Sequence, residues 1–113
     1  MIFQWDAKNL EHIGEHGVTP HEGEFVIRHA KPPFPKQLPD GKSLVWGVSD
    51  SGEYLQVIFV ILEDGRVDTQ GMTAADLAAF LDGEQVVYVA HAMPMTENQK
   101  SQLKARNKKK GRR

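Results

Sequence analysis

The chain contains no cysteine among its 113 residues, which excludes disulfide bonds, iron–sulfur clusters, cysteine zinc sites and thiol catalysis. Long apolar segments are missing as well. The longest covers residues 57–62, whereas a helix that crosses a bilayer needs about 20 apolar residues. Residues 1–9 also lack the basic-then-apolar order of a secretory signal. The sequence therefore predicts a single small cytoplasmic domain of bacterial type, without membrane contact.

Motifs for metal or cofactor binding are scarce. No glycine-rich phosphate loop is present, since residues 50–52 and 64–65 have the composition of hairpin turns. His12, His16 and His21 follow one another at spacings of four and five, but without the HExxH pattern of a zinc site. We interpret them as exposed or helix-terminal histidines. The sequence thus predicts no metal and no cofactor.

Basic and acidic residues are separated along the chain. Residues 1–99 hold six basic and all 15 acidic residues, a formal charge of −9, whereas residues 100–113 hold eight basic residues and carry +8. This division predicts an acidic domain at 1–99 and a basic C-terminal helix or tail at 100–113.

The basic segment is typical of contact with nucleic acid or an acidic partner. Its candidate nucleic-acid-binding residues are Lys100, Lys104, Arg106, Lys108, Lys109 and Lys110. Two other interpretations stay open. The segment can be a solvated tail, or it can pair with the acidic body of its own chain or of a second copy in a homodimer. Each exposed pair would contribute about 0–1 kcal/mol.

The first third of the chain predicts one short strand followed by two short helices. Asp6 is a suitable N-cap for a first helix that ends before Gly17. Residues 19–22 form a capping box with proline at the first helical position, so the second helix should run to about residue 29 with Phe25 and Val26 inward. Four prolines then predict an irregular loop over residues 31–41.

The remaining chain predicts a sheet with one inserted helix. Residues 42–62 have the pattern of a hairpin, and residues 67–70 that of a brief strand. Thr73 caps a helix that carries apolar residues up to Leu81. A strand at 86–90 is apolar on both faces, and the last helix, capped at 96–97, has almost no core face. The fold class is α+β, with a small, mostly antiparallel sheet, two N-terminal helices, an inserted helix before the last strand and a basic C-terminal helix.

Two residues near the ends of predicted strands carry useful chemistry. His91 follows the apolar strand where that strand emerges at the edge of the sheet, and histidine exchanges protons near neutral pH. A histidine bonded to backbone at a strand end is the structural alternative. Trp46 offers a stacking surface for an unpaired base, with a place in the core as its alternative.

Several segments, taken in order, resemble the BrnT-type toxins of bacterial toxin–antitoxin pairs, which have the RelE-like ribonuclease fold. The matching segments are residues 3–6 with 8–9, 15–20, 45–49, 51–55 with 57–59, and 88–96. The resemblance implies a small domain that cleaves RNA without metal and is neutralised by a cognate antitoxin protein. It makes Lys42 and His91 the candidate catalytic residues, the first holding the scissile phosphate and the second exchanging a proton. Trp46 then becomes a base platform.

The chain departs from this family at three positions. Lys42, Glu53 and Met93 stand where the family usually has arginine. Lysine supplies charge without the bidentate geometry of arginine, and methionine supplies neither charge nor a donor. The departures favour a second hypothesis, in which the same fold is a noncatalytic module that binds a partner protein or nucleic acid, with ribonuclease activity weakened or lost.

Overall fold

Five strands, four α-helices and a short 3-10 helix (Asp64–Arg66) make up the computed structural model, which describes the backbone of residues 1–111 and the side chains of residues 1–108. In chain order the elements are β1 (Ile2–Gln4), α1 (Ala7–Gly14), α2 (Pro20–Arg28), β2 (Lys36–Gln37), β3 (Ser43–Val48), β4 (Tyr54–Ile61), α3 (Ala74–Leu81), β5 (Val86–Pro94) and α4 (Glu97–Gly111). The predicted α+β class, with a helix inserted before the last strand, is confirmed. Within the described residues, no helix has the length and hydropathy of a membrane span.

Capping boxes start the first two helices as the sequence predicts. The Asp6 carboxylate accepts a hydrogen bond from the Asn9 N–H at 3.0 Å, and the Asn9 side chain accepts one from the Asp6 N–H at 2.7 Å. Thr19 and Glu22 repeat this exchange at the start of α2. Of the two residues of α2 predicted to point inward, Val26 is buried, whereas Phe25 is only half-buried. Ile27 occupies the second core position instead.

The strands form one mixed sheet in the order β1-β5-β4-β3-β2. Three pairings are antiparallel, and β1 runs parallel to β5, with Ile2 opposite Val86. The mostly antiparallel sheet is confirmed, while the parallel pairing was not predicted. β5 therefore lies between β1 and β4, in agreement with its apolar sequence.

The two faces of this sheet differ sharply. On the helix face, which α2 covers, Val45, Val57 and Val89 are 0 % exposed. The opposite face, here called the open face, carries residues that are directly paired across strands and therefore point the same way. Its central rows are Leu44, Ile58 and His91, then Trp46, Gln56 and Met93. All six are half-exposed.

Two predictions about the later elements are wrong. Residues 67–70 form no strand, because the Asp68 N–H donates to the Gln4 side chain at 2.9 Å and this bond ties the loop to the end of β1. The last helix does have a core residue, since Leu103 of α4 is only 5 % exposed and joins the core cluster. α4 spans the predicted boundary between a domain at residues 1–99 and a basic segment at residues 100–113. The division into these two units stays a prediction.

The predicted end of the last strand, at residue 90, is also wrong. β5 continues through Pro94 because its second half pairs with β4, with His91 opposite Ile58 and Met93 opposite Gln56. His91 consequently lies inside the strand rather than at its end. The polar histidine and the proline had suggested an early end, but strand pairing overrides both.

Candidate functional site

A β-bulge places His91 on the open face. Val89 pairs with Phe59 and His91 pairs with Ile58, so Ala90 is an extra residue in β5. A bulge of this kind reverses the alternation of side chains after it and can re-aim a functional residue. If β5 instead paired regularly after Val89, His91 would lie opposite Val57 and point into the core.

The α1 helix brings a second histidine against His91. Asn9 and Ile13 of α1 are buried, and His12 sits beside them at the edge of the sheet. The imidazole centroids of His12 and His91 are 4.6 Å apart, with their planes at 71°, an edge-to-face contact. Sequence reasoning classified His12 as exposed or helix-terminal and missed this role. The spacing of His12 and His16 was visible, but the partner depends on the fold.

The environment of His91 favours its neutral form. Burial lowers the pKa of His91, and the positive charges of His12, Lys42 and His16 lower it further. A neutral imidazole accepts protons at physiological pH, so the site contains a base. We name His12, His16, His91 and Lys42 the histidine cluster. Within the described residues, no three His, Asp or Glu side chains are arranged to hold a metal ion.

Lys42 precedes β3 and lies on the same side as Leu44, within electrostatic range of His91. Its amine is 3.4 Å from a carboxylate oxygen of Asp40, and its side chain is 38 % exposed. The backbone N–H of Lys42 also donates to Asp40, and this bond lowers the pKa of that carboxyl group. The structure thus brings the two predicted catalytic residues into one region, although Asp40 competes for the lysine.

The site is bounded on the β1 side by a tyrosine. The Tyr88 hydroxyl donates to the Asp6 carboxylate at 3.1 Å. Burial raises the pKa of Tyr88, and the acceptor Asp6 raises it further. The hydroxyl therefore stays protonated and committed to the residue that caps α1.

Trp46 lies at the other end of the open face. Its indole N–H donates to the Gln56 side chain at 3.0 Å, and the same oxygen accepts from Gln99 of α4 at 3.1 Å. The ring centroids of Trp46 and Phe34 are 5.7 Å apart. Trp46 therefore faces a cleft of about 300 Å³ beneath α4 rather than the histidine cluster.

No family model, curated protein or solved structure matched the chain. The site is therefore interpreted from its own chemistry. It holds a neutral imidazole, a second imidazole in contact with it and an ammonium group nearby. This set can move protons at an anionic ester and stabilise added negative charge.

Two basic residues of α4 lie over β4 rather than over His91. The amines of Lys100 and Lys104 are 5.8 and 5.2 Å from the centroid of the Tyr54 ring, and Lys100 also pairs with Glu97 at 3.3 Å. Arg106 lines the cleft beside Trp46.

Three further predicted residues belong to the outer part of α4. Lys108 is exposed, and in the part of the chain with described side chains it forms no ion pair. The side chains of Lys109 and Lys110 lie outside the described residues.

Proposed function

We propose that the protein binds RNA on the open face and cleaves it without metal, as a toxin-like endoribonuclease. The observation that carries the proposal is the contact between His12 and His91, beside the charge of Lys42. RNA cleavage by its own 2′-hydroxyl requires proton removal, proton delivery and charge stabilisation at phosphorus. The histidine cluster supplies a group for each requirement.

The proposed reaction is a transphosphorylation. Neutral His91 removes the proton from the ribose 2′-hydroxyl, and the 2′-oxygen attacks the adjacent phosphorus. The bond from phosphorus to the 5′-oxygen breaks, and protonated His12 delivers a proton to that oxygen. The products are a 2′,3′-cyclic phosphate and a 5′-hydroxyl end. Lys42 stabilises the additional negative charge on the phosphoryl oxygens.

The test is cleavage of single-stranded RNA in EDTA, with the new ends identified by mass spectrometry. We expect a cyclic phosphate product, and no cleavage at a nucleotide that lacks the 2′-hydroxyl. His91→Ala and His12→Ala should each lower the rate by about 10²–10⁴-fold. His21→Ala is the matched control, because His21 is exposed and pairs with Asp50 in the turn between β3 and β4. Equal cleavage by His91→Ala and the unaltered protein would overturn the proposed role.

The toxin–antitoxin assignment rests on the family resemblance and is tested in cells. Expression of the chain in a bacterium should arrest growth, and His91→Ala should relieve the arrest. The gene next to this one should encode a small antitoxin whose co-expression also relieves it. Growth arrest that persists in the His91→Ala variant would separate toxicity from RNA cleavage.

A noncatalytic RNA-binding module is the second candidate. It is favoured by the ion pair of Lys42 with Asp40 and by Met93, which has no charge on the open face. This hypothesis predicts salt-sensitive RNA binding without cleavage, and His91→Ala should leave the affinity unchanged. Detection of a cyclic phosphate product decides between the two candidates.

A further inference from the structure

The outer edge of β3 is only partly paired. β2 covers Ser43 and Leu44 and then ends. The Ser49 N–H donates to the Glu53 carbonyl at 2.8 Å, and hydrogen-bonded residues alternate along an antiparallel pair. Gly47 and Val45 therefore bond to β4, whereas Trp46 and Val48 direct their N–H and C=O groups away from it. Within the described residues, these outward groups have no backbone partner.

The hydrogen bonds between β3 and the segment that contains β2 give the same alternation. On the β2 side, the Leu38 N–H donates to the Lys42 carbonyl at 2.8 Å. Residues 42, 44, 46 and 48 thus form one series of outward-directed peptide groups, and β2 occupies only its first half. The second half is available to another strand.

This unpaired edge opens into the cleft beside Trp46. The cleft has a volume of about 300 Å³ and lies between the end of α2, the proline-rich loop, β3 and α4. Its apolar lining includes Phe25, Phe34, Trp46 and Leu103. Proteins commonly protect sheet edges with charged side chains, bulges or a covering element. Here the edge adjoins a mostly apolar groove, an arrangement suited to a strand with alternating apolar side chains.

The charge of the cleft selects an acidic occupant. Its polar lining includes His29, Lys31 and Arg106, and no acidic side chain among residues 1–108 lines it. The C-terminal segment of the chain carries the same sign of charge, so it does not complement this cleft.

We propose that the cleft is a strand-docking site for an extended, acidic segment of a partner protein. The segment adds to the sheet through the backbone groups of Trp46 and Val48, inserts an apolar side chain between Phe34 and Leu103, and places carboxylates beside Lys31 and Arg106. Backbone pairing supplies affinity in such complexes, and the side-chain pockets supply specificity. The proposal does not use His91, so it stands independently of RNA cleavage.

The probe is a short synthetic peptide with alternating valine and glutamate, blocked at both ends, and titrated into the ¹⁵N-labelled full-length protein. We expect the amide signals of Trp46 and Val48 to shift and their hydrogen exchange to slow. A peptide N-methylated on the residues that face β3 should not bind, because it lacks the donors. A peptide with lysine in place of glutamate should bind at least about tenfold more weakly, because its charge repels the basic rim.

Variants of the full-length protein separate backbone hydrogen bonding to the peptide from electrostatic attraction. Val48→Pro removes one N–H that points away from β4, and should weaken binding about fivefold to tenfold while RNA cleavage is unchanged. Arg106→Glu should weaken binding, whereas Lys108→Glu, the same charge change on the same helix outside the cleft, should have a smaller effect.

Two results would overturn the proposal. One is unchanged peptide affinity in a Val48→Pro variant whose spectrum is otherwise native. The other is protection of the Trp46 and Val48 amides by a single-stranded RNA oligonucleotide but not by the acidic peptide. The second result would assign the cleft to RNA instead. Comparison with the cleavage assay distinguishes both from failure of the ribonuclease proposal.

Discussion

The two faces of the sheet are built from neighbouring residues of the same strands, yet they serve different ends. Val57 is fully buried on the helix face, and Ile58, the next residue, is half-exposed on the open face. In β5, Val89 enters the core while His91 lies beside His12. Alternation with a period of two thus separates residues that hold the fold together from residues available for chemistry.

The comparison also explains where ionisable groups can be placed. The central row of the helix face consists of Val45, Val57 and Ala92, and none of these side chains can change its charge. On the open face, His91 is half-buried, so it is desolvated enough for its pKa to fall yet remains within reach of solvent. A base with a lowered pKa that still reaches solvent therefore needs a position between full burial and full exposure.

The largest contrast in stability should come from truncating the neighbouring residues Val57 and Ile58. Val57→Ala should cost about 2–3 kcal/mol because it leaves a cavity in a close-packed core. Ile58→Ala removes a larger group but should cost only about 1 kcal/mol, because solvent fills the space. Urea unfolding of both variants measures the difference. A larger loss for Ile58→Ala would show that the open face is covered in solution.

A smaller effect is expected where α2 meets β3. An added Cβ on Gly47 would lie 3.0 Å from a methyl group of Val26, which is buried and stiff, so Gly47→Ala should cost about 1–2 kcal/mol. Gly14→Ala is the control, since a Cβ there meets nothing within 4 Å. It should stabilise the helix by up to about 1 kcal/mol. Equal thermal shifts for the two variants would argue against the close approach of α2.

Acidification should lower the free energy of unfolding because of His91 on the open face. The lowered pKa of His91 means that the unfolded chain, with an ordinary value of about 6.5, binds more protons at mildly acidic pH. Stability from this group is present above pH 6.5 and falls as the pH drops toward the native pKa. His21 has the opposite sign, because its hydrogen bond to Asp50 raises its pKa. Its contribution is complete below pH 6.5 and is lost as the pH rises through the native value.

These two contributions can be separated by unfolding experiments between about pH 5 and pH 8. His91→Asn should lose less stability on acidification than the unaltered protein. His21→Asn should lose more, because its favourable protonation is removed. Identical pH profiles for the protein and its His91→Asn variant would mean that His91 is solvated as in the unfolded chain.

The smallest effects should come from single charges on α4, which covers one end of the open face. Each phosphate contact with single-stranded RNA contributes a slope of about −0.7 to the dependence of log affinity on log salt. Lys104→Ala and Lys108→Ala should therefore each flatten that slope by about 0.7. Lys8→Ala, on α1, should leave it unchanged. Equal slopes for all three variants would show that α4 does not contact the RNA backbone.

Local signals in the sequence were sufficient for most helix boundaries. Asp6, Thr19 and Thr73 each accept the backbone hydrogen bond expected of an N-cap. The hairpin also lies where its turn residues predict it, with Gly52 at φ 88°. These features depend on a few consecutive residues, so a single sequence carries the information.

Features that depend on distant residues were missed. The bulge at Ala90 exists only because β5 continues to pair with β4, and the contact of His12 with His91 depends on where α1 crosses the sheet edge. α4 has only Leu103 and Ala105 as apolar residues among polar neighbours, so helical periodicity predicted almost no core face. The candidate site could therefore be predicted as separate residues, but not as a cluster.

The parallel pairing of β1 with β5 also has a consequence for synthesis of the protein. The partner of Ile2 is Val86, so β1 has no strand to pair with until β5, which lies between β1 and β4, has been synthesised. Until β5 leaves the ribosome, two strand edges and the apolar faces of Val57 and Phe59 lack their neighbours. Productive folding is thus a late event, and a chain interrupted before β5 presents surfaces that chaperones and proteases recognise.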